Sequence, residues 1–468
     1  MRKLELKGVE TVKADRLFRG GTVVDPRGQV RADVAVRDGR IVALTDGIPI
    51  SAHETVDVSG KYLLPGIIDT HVHIRYPGYE KREDFASGTR AAAAGGVTTI
   101  LEHPISVPAV SSADILRRRW EMCRDQAYVD YAFFGAAGED NIDQIAGLAE
   151  AGVVAFKTFL HQAPPGRERE FEGLTCTTDG GLYEVFRAVA RTGKISVIHA
   201  ESNSMVEYYI DKYRSEGRND ILAHMDSRPA LAEIVSAAGS LEMAEAAGVR
   251  LQVAHISGGT VADYLERERA SGRDVLVETC PHYLFLTRED ASRLGPYAKI
   301  NPPIRTVDEQ EGLWRAIGRG VVDFIGSDHG PFTREEKEAG WEDIWGAPAG
   351  AVGLETTLAL MLDAVNSGRL SLLDVARLLS EKAAREFGLW PRKGRIAPGS
   401  DADLVVVDMD RIHTFDRSQM YTRARECALL FDGRRVRGMP VMTVLRGEIV
   451  MKDAEVVGEP GYGRMITT

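Results

Sequence analysis

Apolar positions fall into two regimes along this chain. From Leu17 to about Lys61 they form short runs broken by turns. Residues 21–25 run into Pro26-Arg27-Gly28, and residues 32–37 run into Asp38-Gly39, with another apolar run at 40–44. Asp-Gly between alternating runs is a strong hairpin signal. Beyond this small β unit the apolar runs become continuous, as expected of parallel strands buried on both faces. They cover residues 63–73, 98–103, 128–135, 153–160, 195–199, 251–256, 274–280 and 321–327. Between them lie stretches of helical period at 84–94, 113–126, 142–151, 182–192, 229–247, 261–270 and 308–319. Eight apolar strands separated by helices predict an α/β fold, a (β/α)8 TIM-like barrel. Two further helices are expected at 354–365 and 372–387, the second closed by Gly388. From Lys393 the chain returns to turns and short β pieces, through residues 441–450. The β character of both ends predicts that they pair as one discontinuous domain. The expected division is an N-terminal extension at 1–14, a β domain at 15–62 plus 390–468, and the barrel at 63–389.

Composition narrows the partners. The chain has 468 residues, 44% of them hydrophobic and 27% charged, so it can bury a large core. A net charge of −11 gives no basic footprint for nucleic acid. Two local clusters, Arg167-Glu168-Arg169-Glu170 and Arg434-Arg435, read as solvated surface. The four cysteines, Cys123, Cys176, Cys280 and Cys427, lack Cys-x-x-Cys spacing, which argues against a disulfide frame or zinc ribbon. Reduced thiols fit a cytoplasmic location. Neither a signal core nor an apolar run long enough to span a bilayer is expected.

The chemistry collects where the barrel strands end, which is where barrel enzymes carry their active sites. Strand one ends in His71-Val72-His73, and residues i and i+2 of a strand share a face, so two imidazoles can aim at one point. Strand four carries Lys157, strand five ends in His199-Ala-Glu, strand six in His255-Ile-Ser, and strand eight in Ser327-Asp328-His329. Taken singly, each of these could be structural; their joint placement argues for metal. An ammonium is disfavoured beside two divalent cations, but neutral lysine can add CO2 and become an anionic carbamate with two oxygens. Such a group can bridge metals about 3.5–4 Å apart. The expectation is therefore a binuclear site bridged by N6-carboxylated Lys157, with His71, His73 and Asp328 on one metal and His199 and His255 on the other.

These motifs resemble the cyclic amidohydrolases, the group of hydantoinase, dihydropyrimidinase, allantoinase and dihydroorotase. The resemblance rests on residues 65–73, the Phe-Lys-Thr-Phe around Lys157, and the His199, His255 and Asp328 motifs, and it runs from about Leu17 to Val457. Residues 295–305, 327–330, 340–345 and 353–356 look most like the L-selective hydantoinases. Dihydroorotases and allantoinases usually carry an Asn-containing Met-Pro motif after strand two, where this chain has Glu102-His103-Pro104. D-selective hydantoinases place a Tyr shortly after the bridging lysine, where this chain has Leu160-His161-Gln162. The resemblance implies a distorted barrel with a β-sandwich built from both chain ends, and a homo-oligomer, tetramer or dimer. Two divalent ions are implied, Zn2+ first and Mn2+, Co2+ or Ni2+ as alternatives. The implied reaction opens a small cyclic ureide by a metal-bridging hydroxide, with Asp328 taking the proton and returning it to the departing nitrogen. A hydantoin would give an N-carbamoyl amino acid. Allantoin is the second candidate substrate, then dihydroorotate or dihydropyrimidines.

Asn301, before Pro302-Pro303, is implied as a substrate contact, and His161 and Gln162 as pocket residues. Arg75 could hold a substrate oxygen or pair with a surface carboxylate. His103, His282 and His329 are expected to orient neighbours, and His53, His224 and His413 to be structural. Some relatives of dihydropyrimidinase are non-enzymatic scaffolds that have lost metal ligands; this chain keeps all six, which favours an enzyme.

Overall fold

A computed structural model describes residues 12–46 and 50–468. The parallel strands fall into two ladders. One pairs Ile67–Val72, Val97–Glu102 and Asp130–Phe133; the other runs through Gly135–Ala136, Ala155–Phe159, Ile195–His199, Leu251–Val253, Val275–Thr279 and Phe324–Ile325. Only Phe134 separates the third strand of the first ladder from the first strand of the second. At the far edges, Val72 makes a parallel bridge to His329, and the Ser327 backbone N–H donates to Asp69 Oδ1 at 3.0 Å. Gly326 allows this approach, since a Cβ there would lie 2.8 Å from His71 Cβ. Every residue of the 67–72, 97–102, 155–159 and 195–199 strands is buried, as the continuous apolar runs predict.

The helices follow the expected stretches within a few residues and are closed by local caps. Asp84, for example, accepts from the Ser87 backbone N–H in a reciprocal capping box that starts Phe85–Ala94. The helix expected at 372–387 is interrupted, because Arg377–Glu381 is wound as a π-helix between two α-helical pieces. Helices at Asn203–Ser215 and Ile221–Asp226, after the fifth parallel strand, were not anticipated. Asn203–Ser215 buries only Val206, so it lacks the apolar stripe by which a helix is read from sequence.

Both chain ends do share a sheet. Its seven strands join the block Gly28–Arg31, Thr22–Asp25 and Tyr62–Pro65 to the block Leu404–Thr414, Arg435–Leu445, Glu448–Lys452 and Glu455–Val456, through the pairing of Tyr62–Pro65 with Leu404–Thr414. A second, four-stranded sheet holds Val12–Arg19, Asp33–Arg37, Arg40–Thr45 and Ile50–Asp57. The hairpin at Asp38-Gly39 is present, with both residues left-handed (φ 52° and 74°). The run expected as one strand at 63–73 is two. Leu63–Pro65 pairs antiparallel with residues 404–406, and the parallel strand begins only at Ile67. Gly66 makes the crossing, packed so tightly that a Cβ would meet Thr98 Oγ1 at 2.2 Å. An unbroken apolar run carries no mark of that change of sheet. The expected N-terminal extension lies outside the described residues up to residue 11; from Val12 the chain is already a strand, paired parallel with Ile50–Asp57.

A buried ionic cluster ties the parallel strands to the β sheets. Asp130, at the head of the third strand, accepts from Lys393 Nζ at 2.8 Å, from Arg446 and from the Arg464 backbone N–H. Lys393 also contacts Asp403, and all three side chains are nearly solvent-free. Removing one partner from such a cluster leaves uncompensated buried charge. Lys393→Met should therefore lower the unfolding free energy by roughly 3–5 kcal/mol, read from denaturant midpoints. A loss below about 1 kcal/mol would show that Arg446 alone satisfies the aspartates.

Candidate metal centre

The site is aimed by alternation on some strands and by its interruption on others. On the fourth strand, Ala155 faces the inner apolar cluster and Lys157 follows on the same face; on the fifth, Ile195 and Val197 lead to His199. On the first strand, Ile68 faces that cluster but Val72 faces the opposite one. The face changes where the pairing with the second strand loses register, between Asp69 and Val72. This irregularity turns His71 and His73 inward. His255 and Asp328 are brought in by left-handed backbone, at φ 39° and 47°. Left-handed backbone at non-glycine residues costs energy and persists where surrounding structure imposes it.

The expected ligand residues converge. His71 Nε2 and His73 Nε2 each lie 3.4 Å from Asp328 Oδ1. His199 Nδ1 lies 3.1 Å from His255 Nε2, and the rings of His71 and His255 are 5.1 Å apart. Buried carboxylates orient two of the rings. His71 Nδ1 donates to Glu278 Oε1 at 2.6 Å, and His199 Nε2 donates to Glu201 Oε2 at 2.7 Å. A carboxylate accepts, so the other nitrogen of each ring is left as a lone pair facing the centre. Glu278 is fixed in turn by Thr70 Oγ1 at 2.7 Å and Gln252 Nε2 at 3.0 Å, and Glu201 by Arg228 at 2.5 Å. Sequence reasoning gave no role to these two glutamates, although Glu201 stands at i+2 from His199 and so on the same side.

Burial sets the protonation. It holds His71, His73, His199 and His255 well below the usual histidine range, and repulsion from Lys157 adds to it in each case. All four are neutral donors. Lys157 is fully buried, its Nζ has no hydrogen-bond partner among the described residues, and burial pushes its pKa down against the pull of Glu278 and Asp328. Neutral imidazoles, a carboxylate and an unpartnered amine form a donor set suited to divalent metal. His103 joins them more closely than expected: among the described residues, His71, His73 and His103 have donor atoms all within 4.8 Å of one another. Its ring, however, is stacked between His71 (3.8 Å, 14°) and Phe134 (4.2 Å, 24°). Parallel planes prevent His71 and His103 from pointing lone pairs at the same ion, so His103 backs His71.

The surrounding residues correct one expectation and sharpen others. Glu170 is not solvated surface; it is fully buried. Burial alone would raise its pKa, but Arg167, Arg75 and Arg82 hold it down to about 2. Its neighbours Glu168 and Arg169 are exposed, as anticipated, whereas Arg167 borders the cavity lined by His73, His199, His255 and Asp328. The partner of Arg75 is therefore a buried carboxylate, Glu170, at 3.1 Å. Arg434 packs on Phe285 and donates to its carbonyl, so it too is only partly solvated. The cavity, about 70 Å3, is bordered also by His161, Asn301, Ile105, Phe159 and Phe171; Gln162 lies farther out. Asn301 Oδ1 is buried without a partner, and His161 Nδ1 donates to the Gln162 carbonyl at 2.7 Å. Of the remaining histidines, His329 accepts from the Gly353 N–H, His282 packs edge-on against Tyr283, and His224 bonds the Ile300 carbonyl. His53 is exposed and His413 packs against Phe415.

Comparison with known proteins decides the family. The amidohydrolase family matches residues 62–450. An L-hydantoinase of Paenarthrobacter aurescens is 36% identical over 97% of this chain and 98% of its own length. The chain belongs to the amidohydrolase family. An allantoinase of Deinococcus radiodurans is 35% identical over 97% of this amidohydrolase and 98% of its own length. The solved structure of the L-hydantoinase (dihydropyrimidinase) from Arthrobacter aurescens superposes with a TM-score of 0.93 at 35% identity, covering 97% of this chain and 100% of that one. No helix among the described residues is long and apolar enough to cross a membrane.

The orienting role of Glu278 is open to test. Glu278→Gln should weaken metal affinity about 10–100-fold, measured by competition with a chromogenic chelator. An unchanged affinity would mean that His71 does not depend on this carboxylate.

Proposed function

We propose that this amidohydrolase hydrolyses a C–N bond of a cyclic amide, opening a hydantoin-type cyclic ureide to an N-carbamoyl amino acid. The observation that carries this reading is the convergence of four neutral imidazoles, Asp328 and an unpartnered buried Lys157 at one cavity. Named relatives that act on such rings, matched over nearly the whole chain, support it.

His71, His73 and Asp328 would hold one divalent ion, His199 and His255 a second, and N6-carboxylated Lys157 would bridge them. Zn2+ suits nitrogen and oxygen donors, with Mn2+, Co2+ and Ni2+ as alternatives. The lowered pKa of Lys157 supports the bridge, because only the neutral amine adds CO2. Such metals, when bound, polarise a carbonyl and acidify water to near neutrality. The chain's own residues do the rest. Asp328 borders the cavity, within 3.4 Å of both first-strand imidazoles, where its carboxylate can take the proton of the attacking water. As the water oxygen bonds to the ring carbonyl carbon and the C–N bond breaks, Asp328 returns that proton to the leaving nitrogen. Asn301, with its unpartnered Oδ1, and Arg75 and His161 at the cavity wall would position the ring; Gln162 would meet only what extends beyond it.

We read the two ladders as a closed (β/α)8 barrel, with the Val72–His329 bridge as support. The barrel begins at Gly66, later than residue 63, and runs to about 389. The β sheets from residues 12–65 and 390–468 form the sandwich, supported by the apolar cluster they share, in which Phe18, Val34 and Ile41 meet Leu404, Val406 and Val444. A cytoplasmic homo-oligomer is the corresponding state, with four unpaired cysteines as support for the compartment.

Allantoin remains a second candidate substrate, because allantoinases match this chain at 35–37% identity, level with the L-hydantoinase. A panel of 5-substituted hydantoins, allantoin, dihydrouracil and dihydroorotate should show the highest kcat/KM on a hydantoin; faster opening of allantoin would reassign the enzyme. Asp328→Asn should lower kcat by about 10²–10⁴-fold, and near-native turnover would remove the proton role. Lys157→Ala should fold yet retain less than half the wild-type metal after dialysis. Full metal content in that variant would argue against the bridge.

A further inference from the structure

Two cavities meet above the metal donors. The inner one, about 70 Å3, touches His73, His199, His255 and Asp328. The outer groove, about 780 Å3, extends past the helix Asn203–Ser215 toward Trp345. Five residues border both spaces, His161, Pro164, Arg167, Asn301 and Ala349, and form the passage between them. A scissile bond has to reach the inner cavity, so any arm carried by the ring is directed through this passage.

Charge in the passage is out of balance. Arg82 pairs with Glu336 at 2.5 Å and with the buried carboxylate of Glu170 at 3.2 Å, and Arg75 and Arg167 share that same carboxylate. Three guanidiniums thus face two carboxylates, an excess of one positive charge. The three surround the buried ring of Phe332 at 4.4, 4.8 and 5.3 Å from its centre, and that ring supplies no counter-charge. Arg75 Nε is buried without a partner among the described residues, and Arg75 borders the inner cavity. Farther along the groove wall, the buried amine of Lys299, its pKa pushed down by burial and by Arg228, donates among the described residues only to backbone carbonyls, among them Ile344 at 2.6 Å. Arg228 is matched by Glu201. The acids Glu207 and Asp211 are exposed on the helix wall of the outer groove and do not border the inner cavity. A compact neutral ureide would leave the excess charge at the passage unanswered.

We propose that the substrate carries a carboxylate on a short aliphatic arm, which passes between His161 and Asn301 and pairs with Arg167 where the groove opens. The apolar walls from Val206, Ile210 and Trp345 suit the arm, and the basic end suits the acid. This rests on the reading above that the inner cavity opens a cyclic ureide.

The test compares 5-(3-carboxypropyl)hydantoin with its carboxamide, equal in length and different in charge, by calorimetric binding to the metal-loaded full-length protein. The acid should bind about tenfold more tightly at low salt, with the margin shrinking as salt is added. Arg167→Gln should bring the two ligands to near-equal affinity, while Arg167→Lys keeps most of the preference. Ala349 takes no part in the Glu170 contacts, and Ala349→Glu should reverse the preference; it serves if Arg167→Gln does not fold. Equal affinities in the wild type, or a preference that survives both charge changes, would overturn the proposal. Turnover is read separately. Selective binding of the acid without ring opening would count against the hydrolytic reading alone, whereas ring opening without acid selectivity would count against the carboxylate arm alone.

Discussion

The constraint on which the rest depends is the burial of donor atoms without neutralising partners. Lys157 stands fully enclosed with a bare Nζ, ringed by imidazoles that burial keeps neutral. In a medium that resists charge, such a cluster is costly unless something binds it. The fold confines that cost to one end of the parallel strands and makes it useful. Two of these imidazoles have one nitrogen occupied, His71 by Glu278 and His199 by Glu201, so the other stays open.

Holding those atoms requires rigid surroundings, and the fold supplies them in layers. Beneath the donors lies an apolar cluster of inward side chains, closed below by Phe387 and Leu389. Behind His71, the slab of His103 and Phe134 limits ring rotation. At the base, Asp130, Lys393, Asp403 and Arg446 lock the parallel strands to the sheets built from both chain ends. The same reliance on buried charge recurs at the mouth, where Glu170 gathers three arginines. There the excess is positive and borders the cavity, through Arg75 and Arg167.

Much of this was legible in the chain itself, for reasons specific to certain residues. Continuous apolar runs mark strands covered on both faces, and their alternation with helical stretches gives element order. The spacing of His71 and His73 shows that they share a face, and Asp38-Gly39 announces its own turn because few dipeptides accept that backbone. What the chain could not express locally was reference to distant partners. Glu170 sits in a run of alternating charges that looks like surface, and only Arg75 and Arg82, more than eighty residues away, make it a buried hub. The crossing at Gly66 was hidden for a related reason: Leu63 to Ile68 is apolar throughout, whichever sheet receives it.

The sequence by itself determined which residues have the chemistry, in what order they arrive, and the general class of site they form, because ligand identity and strand period are local properties. Tertiary structure decided where those residues point and what surrounds them. Register loss after Asp69 and left-handed backbone at His255 and Asp328 turn side chains that simple alternation would misplace. Packing chose which carboxylate orients which imidazole, and which arginines face the cavity rather than water. These outcomes depend on contacts between segments far apart in the chain, and no local pattern encodes them.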